Sequence, residues 1–424
     1  MDHSEGGRSI WNIEKLYDPN APQYALPQRA ATGCCLLDIK SWRKLDDWTV
    51  ELDTGTPNSI IIGRIPYLRM ASPTAWKKAG GWEEFAKHPV GSGPFMVEEI
   101  VPRERVVLVP NKNYWNKDKI PKLDKLILIP IPDHNTRVAA LLSGQVDMIE
   151  NPPPDTLSRL KTAGKQIIPN KYPHIWPYTL RQTGKDTPLK DVRIRKAINL
   201  AIDRESIVKM LQGYAVPARG FVFPESAWFG QPTFDIKYDP TEAKKLVAEA
   251  GYGPGKPAKF TMVISPGGNG QMLPLPMNEF IQQNLKEVGI EVNFEVMEWQ
   301  KLITVRNKGP KDDGNDNFDG VNNSWTFSKP GDLEINFATW KIAPNGVNWG
   351  VSDPVVDDAL KKVMATFDTK EQDRLMAEAH TRIVDQAYQL WVVHDIKTHA
   401  ANSNVKGFVP EIHSMTTYTS IYIE

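Results

Sequence analysis

The chain reads as an α/β protein built in two lobes with mixed sheets, on three observations. Its 424 residues, at roughly 150 per domain, give two or three domains large enough to bury cores of their own. Apolar, β-branched runs of period two alternate along the chain with amphipathic runs of helical period. Proline (34) outnumbers glycine (29), which points to many ordered joints between short elements. Composition also excludes classes. With 41% hydrophobic residues and 51 Lys+Arg against 51 Asp+Glu, the chain is too apolar and too balanced to be disordered. Zero formal charge and no long basic run argue against nucleic-acid binding. The longest apolar run, Leu126-Ile-Leu-Ile-Pro-Ile131, is strand-sized and broken by proline, well short of the roughly 18 residues that cross a bilayer. Cys34 and Cys35, the only cysteines, are adjacent, so they build neither a disulfide framework nor a CxxC site. Met1–Arg8 has no basic region, apolar stretch or cleavage site of a secretory signal.

The elements follow in order. A short helix is predicted over 11–16, before a Pro-rich stretch at 18–24, and an alternating strand over 48–52. Residues 94–100 and 105–109 read as paired strands. Next come a β-branched strand over 123–130, a helix over 135–142 and a short strand over 146–149. This order predicts a βαβ unit with parallel pairing and a right-handed crossover. A further helix opens at Pro154. Helices over 192–201 and 204–211 meet at Asp203, a good N-cap for the second. A helix over 240–250 ends at Gly251, a strand covers 259–265, and a helix over 277–288 ends at Gly289. Strands are predicted over 290–297 and 321–325, helices over 333–340, 354–367 and 370–387, and strands over 390–393 and 405–409.

Catalytic motifs are absent. The eight histidines include no HExxH pair, and neither GxSxG nor GxxxxGK[ST] occurs. Gly267-Gly-Asn-Gly270 lies between a strand and a helix like a phosphate cradle but lacks the third glycine, so a plain turn is expected. Asn315, Asn317 and Asp319 fall at positions one, three and five of a calcium loop, yet Thr326 stands where the bidentate Glu belongs. A solvated loop is expected. The adjacent acid pairs Glu98-Glu99 and Asp312-Asp313 point to opposite faces if on strands, which counts against a hydrolase. Thirteen tryptophans are more informative, several of them beside turns. An indole offers a flat apolar face and one donor. Trp176 and Trp391 are the best placed for a ligand site, near the two points where the chain passes between lobes, and Trp325, Trp340 and Trp349 cluster in the last third.

Several runs resemble one family. His88-Pro-Val-Gly-Ser-Gly-Pro-Phe95, Asn111-Lys-Asn-Tyr-Trp115, Asp133–Met148, Asp191-Val-Arg-Ile-Arg-Lys-Ala-Ile-Asn-Leu-Ala-Ile-Asp-Arg-Glu205, Met297-Glu-Trp299 and Trp349-Gly-Val-Ser-Asp-Pro-Val-Val-Asp357 resemble the family 5 extracellular solute-binding proteins, the peptide and nickel receptors of ABC importers. The likeness runs in order from about residue 11 to 410. It implies a type II periplasmic-binding fold whose two lobes close on a ligand like a hinged trap. The chain would enter the second lobe near 172–181 and return near 390–395. Implied domains are 1–75 as part of a small extra subdomain, 76–174 with 392–424 as lobe one, and 175–391 as lobe two.

The resemblance implies a ligand site at Trp325, where peptide-binding relatives follow the Trp with an Asp that pairs with the peptide ammonium. Here Ser328 replaces the usual first Asp, and Asp332 falls one position after the second. Two readings of Asp332 stand: pairing with a ligand ammonium, or capping a helix that begins at Leu333. With Trp176, Trp391 and Trp349, these are the expected ligand residues. No catalytic residue, metal site or cofactor is expected. The implied function is capture of a peptide or similar small polar solute for membrane permease subunits, by a monomeric periplasmic or lipid-anchored receptor. The alternatives are a fragment that does not bind, or a hydrolase. Trp11-Asn-Ile-Glu-Lys-Leu-Tyr-Asp18 is similar to a segment well inside family members, so the resemblance also implies that a leader and the first strands of lobe one are missing.

Overall fold

The computed structural model describes residues 4–32, 38–184, 186–267, 272–310, 318–411 and 416–424. Cys34, Cys35, most of the glycine cluster and the first half of the calcium-like loop lie outside the described residues.

Two long antiparallel strands organise the chain. Gln389–Ala401 is a thirteen-residue strand, buried at all but one position. Such continuous burial, without alternation, is what a strand enclosed on both faces requires. Its first part pairs with His174–Leu180, with Leu390 opposite Tyr178. Its later part pairs with Gln166–Lys171 on one edge and Met148–Glu150 on the other. The sheet is nine-stranded and mixed. Beyond His174–Leu180 lies Gly320–Asn322, antiparallel to it, and then Ala258–Ile264 and Ile290–Val296, parallel to each other. Pro274–Glu287 is the crossover helix between the last two.

The larger half of the molecule encloses two cores. In the first, Ile198 and Ile207 of the helices Val192–Ala201 and Arg204–Met210 pack with Ile281, Phe260 and Leu390. Asp203 caps the second of those helices by accepting from the Ser206 N–H at 3.0 Å, a contribution of about 1 kcal/mol. In the second core, Leu333, Leu360 and Met376 of the helices Gly331–Phe337, Pro354–Ala365 and Thr369–Asp385 surround Phe221 and Trp391. The smaller half is thinner. Leu141, Ile149, Leu157, Leu160 and Ala400 form its core. A three-stranded antiparallel sheet, Phe95–Val101, Arg105–Pro110 and Leu126–Leu128, leaves Met96 and Ile127 half exposed. In the first 85 residues, Trp11 on the helix Glu5–Tyr17 packs against Trp76 and Trp82 with ring centroids 5.5 and 5.8 Å apart.

One expectation fails. The strand over 123–130 and the strand over 146–149 do not form a βαβ unit: Leu126–Leu128 joins the three-stranded sheet, whereas Met148–Glu150 pairs antiparallel with Gln389–Ala401. Local periodicity marks a strand but not its partner, and here the partners lie at residues 106–108 and 399–401. The parallel relation occurs one step later. Met148–Glu150 and Gln166–Lys171 both run antiparallel to the long strand that separates them, with the helix Leu157–Thr162 between them in sequence.

Candidate functional site

A small, partly open cleft lies against the strand His174–Leu180. Trp176, on His174–Leu180, forms part of its wall and stands edge-on to Tyr178 at 5.9 Å. Next to it are Asn322, Asn323 and Ser324, at and just beyond the end of Gly320–Asn322. Gly320 makes that placement possible: a Cβ there would lie 2.3 Å from Met262 Sδ and 2.6 Å from the Thr179 carbonyl. Only glycine lets the strand fit between its two neighbours.

Hydrogen bonds then orient the amides. Asn322 Nδ2 donates to the Pro177 carbonyl at 2.9 Å, and its Oδ1 accepts from Asn278 Nδ2 at 3.5 Å. Tyr178 hydroxyl donates in turn to Asn278 Oδ1. Asn323 Nδ2 donates to the Ser324 carbonyl at 3.0 Å. Both asparagines are 3% exposed. Ser265, Met272, Pro274 and Trp299 complete this wall.

The facing wall is represented by His134, the first residue of the helix His134–Ser143. Asp133 caps that helix through the Thr136 N–H at 2.7 Å. Arg137 Nη2 lies 2.8 Å from His134 Nδ1. Partial burial and the Arg137 charge lower the His134 pKa, so its imidazole is neutral at neutral pH. The described lining therefore carries no ionised side chain.

Of the residues expected at the site, Trp176 lines this cleft and the others stand elsewhere. Trp391 is fully buried in the second core. Trp349 is buried with Leu302 and Val305, and its Nε1 donates to the Arg306 carbonyl at 3.0 Å. Trp325 pairs with Ile175 across a short strand, and the Arg306 guanidinium lies 5.2 Å from its ring. Asp332 is buried, and its Oδ2 accepts from the Ser328 and Lys329 N–H groups at 2.8 and 3.0 Å. The helix begins at Gly331, two residues before the expected start, so Asp332 lies in its first turn and bonds the turn before it. Burial pushes its pKa up to about 6.

The calcium-like loop has another role where it is described. Asp319 Oδ2 accepts from the Thr261 N–H at 2.8 Å, bonding two strands together. The acid pair on Phe95–Val101 is spent on surface ion pairs, Glu98 with Lys125 and Glu99 with Arg105, at 2.7 and 2.9 Å. Sequence reasoning missed Asn322, Asn323, Ser324, Ser265 and His134. The available signal was three small polar residues in a row, Asn322-Asn-Ser324, within a segment that reads as a buried strand.

Comparisons with known proteins identify the family and the fold. The model for bacterial extracellular solute-binding proteins, family 5, middle region, matches residues 9–346. The glutathione-binding protein GsiB of Salmonella paratyphi A is 30% identical over 376 residues, which are 88% of this chain and 72% of that protein, and GsiB of Shigella flexneri matches equally. Among solved structures, the dipeptide binding protein of Pseudoalteromonas sp. SM9913 in complex with Met-Leu superposes with a TM-score of 0.84 at 20% identity, covering 99% of this chain and 83% of that one. DppA of Helicobacter pylori in complex with the peptide STSA gives 0.82 at 21% identity, covering 99% and 81%. At such identities the structures establish the two-lobed fold. The family match over most of the chain and the identity to curated relatives place this protein among the family 5 bacterial extracellular solute-binding proteins.

Proposed function

We propose that this chain is the solute-binding receptor of an ABC importer, holding a small polar solute between its two lobes and delivering it unaltered to permease subunits. The observation that carries this reading is the cleft itself. It is lined from one side by Trp176 and Asn322–Ser324 and from the other by His134, next to two strands that link the halves. Those strands, through 171–174 and 394–396, are the hinge. Because they belong to one continuous sheet, closure needs only a few backbone dihedrals to change, and the ligand's greater affinity for the closed form drives it. The lobes are taken as 76–174 with 392–424 and as 175–391, with 1–75 packed beside them. Among the described residues no helix is long and apolar enough to cross a membrane. As its family's receptors do, it works as a monomer in the periplasm or on a lipid anchor. The peptide and glutathione ligands named for its relatives set the first probes.

Thermal-shift screening with dipeptides, glutathione, oligosaccharides and nickel complexes tests this. A ligand at 100 times its Kd adds about 2.7 kcal/mol of stability. The expected outcome is a shift with one ligand class and recovery of that ligand unchanged. No shift with any class, or turnover of the ligand, contradicts the proposal.

A further inference from the structure

The leading segment of the chain is tied to both halves of the molecule. It runs without a break into the strand Phe95–Val101 of the small sheet, and the Ser72 N–H donates to the Val90 carbonyl at 2.9 Å just before that strand. Residues 58–67, however, are seated on the larger half. Ser59 Oγ donates to the Val363 carbonyl at 2.9 Å and accepts from Gln372 Nε2 at 2.9 Å. Lys329 Nζ lies 4.0 Å from the centroid of the Tyr67 ring.

At the centre of that seat is a ring of four charges. Arg64 pairs with Asp38 at 2.8 Å through one terminal nitrogen and with Glu334 through the other. Lys341 Nζ lies 3.2 Å from Asp38 and 3.4 Å from Glu334. Cations and anions therefore alternate, and the ring is neutral. Its inner members are deep in the protein, with the Arg64 and Glu334 side chains 3% and 2% exposed.

Each side of the seam brings one cation and one anion. Arg64 and Asp38 belong to the leading segment, Glu334 and Lys341 to the larger half. If the sides part, Arg64 keeps Asp38, while Glu334 keeps Lys341 and the Trp340 Nε1, which donates to it at 2.8 Å. No charge is left buried and unpaired, the outcome that makes a buried pair costly to break. Little apolar surface is wetted either. Between 58 and 67, Ile60 is the one buried apolar residue, whereas Ile62 and Ile65 are 69% and 47% exposed. A contact this polar resembles the interfaces between domains that move against one another.

We propose that residues 58–67 are a separable strap, latched to the larger half by the ring of Arg64, Asp38, Lys341 and Glu334, that holds the two halves together and lets go when they open. Arg64 is the positioning residue at its centre. The proposal rests on the two-lobed receptor reading given above. It adds to the hinge strands a contact that biases the balance between closed and open forms.

The test is small-angle X-ray scattering and hydrogen–deuterium exchange of the full chain without ligand, for the parent and for Arg64→Gln. The expected result is a larger radius of gyration in the variant, with exchange at 58–67 and 331–337 faster by at least about tenfold. Exchange at 192–201 and 258–264 stays as in the parent. Lys329→Ala removes the contact to Tyr67 without leaving a buried charge, and it shifts both readouts in the same direction by less. That variant decides the matter should Arg64→Gln fail to fold. Faster exchange at the strap with an unchanged radius of gyration makes the seat merely structural and overturns the proposal. So does a change in neither readout, or an acceleration shared by 192–201 and 258–264. Since no ligand enters this experiment, such a failure leaves the receptor reading standing, and a thermal-shift screen without a hit bears on the receptor reading alone.

Discussion

From Ala258 to Ile264 five of seven residues are buried, whereas from Phe95 to Val101 none is. Both segments are seven-residue strands rich in apolar side chains, and both lie in sheets, so the difference is one of enclosure. Ala258–Ile264 has a strand on each edge and helices over its faces, and Met262, Val263 and Ile264 are at most 2% exposed. Phe95–Val101 is an edge strand of a three-stranded sheet. A side chain set in close-packed surroundings has one position, and one on an open sheet has several. Most of the cleft's described lining stands on or beside the enclosed sheet and a single histidine on the other half. In the receptor proposed above, the enclosed half therefore presents most of the lining groups in close-packed, fixed positions.

Acid gives the largest way to break this comparison. His174, His380 and His394 all lie fully buried, and burial pulls their pKa values down to about 3, 4 and 4. In the unfolded chain a histidine takes up its proton near 6.5, so below that pH the unfolded state binds more protons. Stability from each is complete above about pH 6.5 and is lost as pH falls toward 4, by up to about 1.4 kcal/mol per pH unit. Urea unfolding at pH 7.5, 6 and 5, followed by tryptophan fluorescence, measures the slope. A flat profile contradicts the burial of these three side chains.

Core truncation is the next. Ile281 is 0% exposed in the first core and Ile127 is 52% exposed on the small sheet. Ile281→Ala is expected to cost about 2–5 kcal/mol and Ile127→Ala less than about 0.5 kcal/mol. Equal costs remove the contrast between the two halves.

A third effect comes from Asp332. Its folded pKa of about 6 exceeds that of an unfolded aspartate, near 4, so the folded protein holds the proton more tightly between these values. Stability from this group is present below about pH 4 and is lost as pH rises to about 6, by about 3 kcal/mol. The sign opposes that of the histidines. Asp332→Asn isolates it: the difference in unfolding free energy between parent and variant changes across pH 4–6 and is constant above. A difference that does not vary with pH contradicts the assignment.

Much of the fold was legible because its signals are local. Asp203 at an N-cap, Gly251 and Gly289 past helix ends, and the period of 192–201 lie where the structure has them. Pairing was not legible: residues 126–128 and 148–150 both read as short strands, yet the first pairs with 106–108 just upstream and the second with 399–401, about 250 residues on. The site was half legible for the same reason. Trp176 and Trp391 both lie near the strand crossing, but composition does not say which face of a strand looks into a cleft, and one indole lines it while the other fills a core. Asn322 and Asn323 acquire their meaning from Gly320 and Asn278, which place and orient them through contacts distant in sequence.

Capture between two walls in the receptor proposed above is tested most directly by hydrogen–deuterium exchange of the full chain with and without a saturating ligand from the thermal-shift screen. The account predicts protection that appears together at 320–324 and at 134–137, with 258–264 already protected without ligand. Protection confined to one wall, or centred away from both, contradicts it.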